Sequence, residues 1–149
     1  MTATAGQRPG RWAQGLGYAG LLPFVGLVAA SWWLNPADRA RSLSALLAYG
    51  ATIVSFLGAI HWGLVMREAS GRSTGWLLWG VAPSLVAWLA LLAGPAIGLW
   101  LLAAALWACF AVDRMAYLRC GVQAWLPMRL VLTIVASLCC AAGAMRMVP

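Results

Sequence analysis

Residues 73–112 read STGWLLWGVAPSLVAWLALLAGPAIGLWLLAAALWACFAV and contain no charged side chain. A helix needs about 20 apolar residues to cross the hydrocarbon core of a bilayer, so this run is long enough to cross twice. Gly94 and Pro95 stand near its centre. Because proline supplies no amide donor and glycine relaxes the backbone, we predict two membrane-spanning helices joined by a tight turn there.

The composition of the whole chain agrees with a membrane location. Hydrophobic residues make up 64% of the 149 residues, charged residues only 9%, and the mean hydropathy is +0.86. A soluble domain has about a quarter of its residues charged, and a core of this size cannot bury so many apolar side chains. We predict an all-α, polytopic membrane helix bundle that forms a single transmembrane domain over residues 1–149. Its five transmembrane helices are expected at roughly 13–34, 43–66, 75–93, 95–113 and 126–145.

The arginines predict the orientation, since the chain contains no lysine. With a cytoplasmic N-terminus, seven arginines lie inside and three outside. This asymmetry favours an N-in, C-out protein of the bacterial inner (cytoplasmic) membrane. The net charge of +7 then reflects topology and contact with anionic lipid, rather than nucleic-acid binding. The chain is also tryptophan-rich, with ten residues, several near predicted helix ends, where indole prefers the membrane interface.

A polar cluster is predicted in the cytoplasmic third of the bundle. The only histidine, His61, lies in the apolar stretch SFLGAIHWGLVM (55–66), about 7–8 Å from the inner end of the second helix. Ionisable groups at such depth normally face the bundle interior and pair with one another. The six side chains expected at this depth come from four helices. They are Tyr18, His61, Asp113, Arg114, Tyr117 and Arg129.

Two prolines are expected to bend their helices. Pro23 and Pro83 interrupt the first and third predicted helices, and each leaves the carbonyl four residues earlier without its amide partner. Freed backbone groups at membrane depth need a partner inside the protein. The donors that we consider are His61, Ser55 and Ser84.

Two simpler interpretations stay open at this point. His61 has Gly58 close to one turn before it, so it is also consistent with a packing residue at a helix crossing. Asp113 and Arg114 are also consistent with a helix end in the headgroup layer, where charges cost little.

Three segments resemble a known family. They are GYAGLLPFVGL (17–27), LLAYGATIVSFLGAIHWGL (46–64) and GVAPSLVAWLALL (80–92), followed by VDR (112–114). The chain is similar over most of its length to the small five-helix bacterial and mitochondrial membrane proteins that include eukaryotic transmembrane protein 69. This resemblance implies a single all-helical membrane domain and carries no reaction with it.

The residue types present exclude several chemistries. One histidine and one loop glutamate cannot form an H-E-x-x-H zinc site, and no glycine-rich phosphate loop is present. A Ser84–His61–Asp113 triad would lack a nucleophile-elbow motif. Cys109 and Asp113 are one helical turn apart and could hold a metal with His61, but no other ligand spacing supports such a site.

The function that we expect is therefore non-enzymatic, and no cofactor is assigned. The lead hypothesis is an accessory or assembly protein that acts through protein contacts or a bound lipophilic ligand. The first alternative is a small-solute or proton-coupled transporter that acts as an oligomer and uses His61, Asp113 and Arg114. The second is a quinone- or porphyrin-binding protein. The partners expected are the lipid bilayer, and another membrane protein or further copies of the chain.

Overall fold

The computed structural model describes residues 9–67 and 74–147, and all regular secondary structure in these ranges is helical. The elements are α1 (Arg11–Ala19), α2 (Leu22–Trp33), α3 (Pro36–Arg67), α4 (Thr74–Arg119), a 3-10 turn (Gln123–Trp125) and α5 (Leu126–Met145). Four helical segments in the described ranges are long and apolar enough to cross a membrane: Arg11–Trp33, Pro36–Met66, Thr74–Arg119 and Gln123–Met145. The chain is thus a multi-pass helical membrane protein.

Helix α4 folds back on itself at Gly94. This glycine has φ 74° and ψ 174°, and the two halves of α4 touch so closely that a Cβ at Gly98 would collide with the carbonyl oxygen of Ala90. The guanidinium of Arg119 lies 5.8 Å from the ring centroid of Trp76. In a straight helix these two residues would be about 65 Å apart. Residues 74–93 and 95–119 therefore form an antiparallel pair, with the turn where the sequence places it.

The first predicted helix, 13–34, is divided into α1 and α2. Pro23 lies in the first turn of α2, where a helix needs no amide from it. The break exposes the carbonyl of Gly20, which accepts a hydrogen bond of 2.9 Å from the Tyr49 hydroxyl. Pro83, in contrast, lies inside α4 with helical backbone angles on both sides. The two prolines thus act differently, because only Pro23 coincides with a helix start.

The second predicted helix, 43–66, begins earlier than expected. The sequence favours a polar loop at residues 35–42, but α3 starts at Pro36. The Asn35 side chain accepts a bond of 3.0 Å from the amide of Asp38, as a helix N-cap does, and Pro36 suits the first helical position. The sequence also favours a polar loop at residues 67–74, and this segment falls mainly outside the described residues. The fourth predicted helix, 95–113, continues to Arg119.

The bundle has two ends that differ in chemistry. At one end lie the Gly94 turn, the start of α3 and Arg146, whose guanidinium is 4.5 Å from the ring centroid of Trp32. We call this part the Gly94 half, and its core is built of packed leucines. The other part, which contains Asp113, the end of α3 and the start of α5, we call the Asp113 half.

Candidate functional site

Asp113 lies at the centre of the candidate site. It projects from the second half of α4 and is 0% exposed. Its Oδ2 accepts a hydrogen bond of 2.9 Å from Nε of Arg129 and a second bond from Nη2 of the same guanidinium. Arg129 lies in the first turn of α5 with its side chain 10% exposed. The pair is therefore an interhelical, two-bond ion pair that water barely reaches.

His61 approaches the other oxygen of the same carboxylate. Its Nε2 is 3.5 Å from Asp113 Oδ1, and the residue is 1% exposed. The contact is close but is not a hydrogen bond, since neither imidazole nitrogen has a hydrogen-bond partner among the described residues. The imidazole stacks on Trp76, with ring centroids 5.7 Å apart and planes at 6°. His61 is thus fixed mainly by stacking and packing, while Asp113 is fixed by Arg129.

The remaining predicted residues divide into two groups. Tyr117 is buried one turn beyond Asp113, and its phenol interacts with the Arg129 side chain. Arg114 is exposed, because adjacent helical residues point about 100° apart and Asp113 occupies the inward position. Tyr18 is 42% exposed near the end of α1. Arg114 and Tyr18 are therefore outside the cluster formed by His61, Asp113, Tyr117 and Arg129.

Neither serine is the expected donor to a freed carbonyl. Ser55 and Ser84 are half-buried, and among the described residues neither donates to the carbonyls of Ala19 and Trp79, which lie four residues before Pro23 and Pro83. Neither bonds to the imidazole, whose nitrogens have no partner in the same ranges. At the α1–α2 break the donor is Tyr49, which sequence reasoning missed, and it bonds Gly20 rather than Ala19. The indole nitrogen of Trp79 is itself buried without a partner among the described residues.

Sequence reasoning also missed two residues that complete the site. Trp76, one of the tryptophans near a predicted helix end, stacks on His61 and lies beneath the Arg119 guanidinium. Thr133 is 1% exposed, and its Oγ1 has no hydrogen-bond partner in the part of the chain that the structure describes. The signal for Thr133 was its spacing, because a residue four positions after Arg129 lies on the same face of α5.

A cavity of about 400 Å³ lies beside the ion pair. Arg129, Thr133 and Tyr117 supply its polar wall, and the other lining side chains are apolar. It extends from the level of Ile60 to that of Ile53 on α3, and so occupies the Asp113 half of the bundle. The apolar lining residues are Ala13, Leu16, Gly17, Gly20, Leu21, Phe24, Ile53, Phe56, Leu57, Ile60, Leu106, Trp125, Met128, Leu132 and Ala136.

The arrangement does not group metal ligands. Within residues 9–67 and 74–147, no three His, Cys, Asp or Glu side chains lie where they could hold an ion together. Cys109 is buried in α4, but the set Cys109, Asp113 and His61 does not form a site. The Asp113 carboxylate is directed to a guanidinium instead.

The fold and the cluster define a class, namely a multi-pass helical membrane protein with a buried carboxylate–guanidinium pair beside an apolar cavity. The chain belongs to the family described as Protein of unknown function (DUF3429), whose family model matches residues 10–145. It is also 42% identical over 81 residues to Transmembrane protein 69 of Xenopus tropicalis. That match covers 52% of this chain and 31% of the relative. No solved structure matches the chain. The resemblance inferred from the sequence is thus confirmed.

Proposed function

We propose that this protein is a non-enzymatic membrane protein that binds a lipophilic ligand in the cavity beside Asp113 and Arg129, and that it acts as an accessory or assembly component. The observation that carries the proposal is the cavity itself, with its apolar walls and a polar group of three side chains on one side. Small-molecule sites in proteins are typically about 300–1,000 Å³, mostly apolar, with a few placed polar groups.

The geometry of the charged residues supports a binding role rather than catalysis. A general base must reach a proton through a hydrogen bond of about 2.6–3.2 Å. The Asp113 carboxylate is held by Arg129 on one oxygen and faces the His61 ring on the other. His61 makes no hydrogen bond to a serine hydroxyl within the described residues. These contacts suit a structural ion pair that forms one wall of a binding site.

Transport through an oligomer, the first alternative, has less support. A proton or ion path needs polar groups through the whole membrane depth. In the Gly94 half, the hydroxyls of Ser31, Ser42 and Ser137 donate to the carbonyls of Val28, Leu27 and Ile134. Hydroxyls bonded in this way satisfy the helix backbone and do not line a path.

We further propose five crossings with the N-terminus inside, in the bacterial cytoplasmic membrane. The turn at Gly94 supports two crossings by α4, since Arg119 returns to Trp76. The arginine asymmetry supports the orientation, although Arg8 and Arg72 lie outside the described residues. Cys120 is exposed, while Cys109, Cys139 and Cys140 are buried. A membrane-impermeant thiol reagent should therefore label Cys120 in inverted vesicles and not in intact cells, with Cys120→Ser as the control. Labelling from the outside of intact cells would contradict the orientation.

Mass spectrometry of molecules that copurify in native lipid tests ligand binding. The informative pair of variants is Leu132→Trp and Leu138→Trp, both on α5. Leu132 lines the cavity, whereas Leu138 does not line it and is 63% exposed. The indole at residue 132 should fill the cavity and lower the ligand occupancy, and the indole at residue 138 should leave it unchanged. If only bulk phospholipid copurifies, in equal amount with all three proteins, the proposal is wrong.

A further inference from the structure

The polar wall of the cavity carries no uncompensated positive charge. Arg129 donates two hydrogen bonds to one oxygen of Asp113, and both side chains are shielded from water. A carboxylate or phosphate entering the cavity would meet an arginine that is already neutralised. It would also bring a second negative charge close to a carboxylate that is 0% exposed. In a medium of low dielectric such repulsion is strong, so an anionic head group is disfavoured here.

The same wall offers a neutral hydrogen-bond donor that the protein itself leaves unused. Thr133 lines the cavity, and its Oγ1 is buried and has no partner among the described residues. An unpaired buried polar group is unfavourable, and an acceptor supplied by a ligand would remove that penalty. The Tyr117 phenol lies on the same wall. The wall thus complements an uncharged oxygen acceptor rather than an anion.

The apolar part of the cavity specifies the remainder of the ligand. Leucine, isoleucine and phenylalanine side chains from α1, α2 and α3 line it, and Leu132 and Met128 close it on the α5 side. Among the described lining residues the one charged side chain is Arg129, which Asp113 neutralises. They suit a hydrocarbon chain or ring that carries one polar function at its end.

From these observations, and resting on the ligand-binding function proposed above, we infer that the cavity takes an uncharged lipophilic carbonyl compound whose carbonyl oxygen accepts a hydrogen bond from Thr133. Two sources share this chemistry, namely the carbonyl of a lipid quinone and the ester carbonyl of a neutral lipid. The structure favours both over a fatty acid of the same length.

Equilibrium binding to the full chain in detergent tests the inference with four probes. They are decylubiquinone for the quinone carbonyl, monoolein for the neutral ester, oleate for the anion and a long alkane for an apolar body alone. We expect at least one carbonyl probe to bind about ten times more tightly than oleate. Whichever carbonyl probe binds more tightly identifies the source. Tighter binding of oleate would overturn the inference while leaving ligand binding itself in place.

Thr133→Val tests the role of the hydroxyl at nearly constant shape. Because that hydroxyl has no partner among the described residues, the variant should fold with an unchanged or higher thermal midpoint. It should lower the affinity for the carbonyl probe about 3- to 10-fold, as loss of one hydrogen bond does, and leave the affinity for the alkane unchanged. Thr133→Ser, which keeps the hydroxyl, should restore most of the carbonyl affinity. Equal carbonyl affinity for wild type and Thr133→Val would overturn the inference. If none of the four probes binds, both the inference and the proposed function are wrong.

Discussion

The two halves of the bundle solve the problem of holding helices together in lipid differently. In the Gly94 half, leucines pack against glycines at close range, as where a Cβ on Gly143 would lie 2.8 Å from Leu46 Cδ2. In the Asp113 half, the helices meet through an ion pair and a stacked imidazole, beside an apolar cavity. Helices in a bilayer associate through close packing and interhelical polar contacts. Close glycine packing also occurs in the Asp113 half, where a Cβ on Gly58 would collide with the Gly80 carbonyl oxygen. The two halves therefore differ in the buried ion pair, and the cavity lies in the half that contains it.

The largest effect is expected from breaking the ion pair. Asp113→Asn would leave Arg129 charged and buried, and removal of one partner of such a pair costs about 3–5 kcal/mol. The free energy of unfolding in detergent measures the loss. Adding Arg129→Met removes the stranded charge and should recover part of it.

A surface carboxylate serves as the matched control. Asp38 is paired with Arg41 at 3.4 Å in an exposed contact at the start of α3. Asp38→Asn should therefore cost only about 0–1 kcal/mol. If the two asparagine variants are equally stable, the Asp113 half is not held by its ion pair.

The next largest effect is expected from overpacking the Gly94 half. A methyl group at Gly98 would collide with the backbone oxygen of Ala90 across the α4 turn, and backbone cannot yield as a side-chain tip does. Gly98→Ala should therefore destabilise by about 1–3 kcal/mol, as overpacking typically does. The measurement is again the free energy of unfolding in detergent.

Gly26→Ala is the control for backbone effects of the same substitution. Gly26 lies in α2, and no neighbouring atom comes within 4 Å of the position that an alanine methyl group would occupy there. Alanine should be neutral or stabilise by up to about 1 kcal/mol, because of its higher helix propensity. If Gly98→Ala is as stable as the wild type, the two halves of α4 can move apart at little cost. Close packing would then not be what stabilises the Gly94 half.

A smaller effect is expected at the α1–α2 break. Tyr49→Phe removes the hydrogen bond to the Gly20 carbonyl and keeps the ring, which lies edge-on to Phe24 with centroids 5.1 Å apart. The loss should be about 0.5–1.5 kcal/mol in unfolding free energy. Thr52→Val is the comparison, since its exposed hydroxyl only bonds back to its own helix at Tyr49. An equal loss in both variants would mean that Tyr49 does not stabilise the break.

The smallest effect concerns His61 and Asp113. A double-mutant cycle with His61→Phe and Asp113→Asn measures their coupling, and contacts of this kind range upward from about 0.5 kcal/mol. At 3.5 Å and without a hydrogen bond, we expect a value near that lower end. If the two substitutions change the thermal stability additively, His61 does not interact with Asp113. His61 would then be a packing residue held by Trp76.

Position along the bundle could be derived from the sequence, because a helix rises a fixed 1.5 Å per residue. This rise put His61, Asp113 and Arg129 at one level, where the structure has them in contact. The pair Gly94–Pro95 in a long apolar run predicted the turn that the structure has at Gly94. The sequence did not show which residue pairs most closely with Asp113. Our prediction centred on His61, whereas Arg129 makes both hydrogen bonds.

Which side of each helix faces the bundle interior could not be derived in the same way. In water, the polar face of a helix identifies its exposed side, but in lipid both faces are apolar and the contrast is lost. Arg114 and Tyr18 were therefore expected in the cluster, and they lie outside it. The start of α3 was missed for another reason. Charged residues after Asn35 and Pro36 favour a loop by composition, although that pair is typical of a helix start.

The cavity reaches the lipid-facing surface, since Leu16 and Phe56 line it and are 74% and 63% exposed. A ligand that enters there leaves acyl chains rather than water. Each methylene gains about 0.8 kcal/mol on moving from water into the bilayer, and acyl chains are about as apolar as leucine. A ligand already dissolved in the bilayer has made that gain before it enters the cavity. Contact with the apolar walls then only replaces contact with acyl chains. Selection between membrane components then depends on the shape of the cavity and on the hydrogen bond from Thr133 to a single oxygen of the ligand.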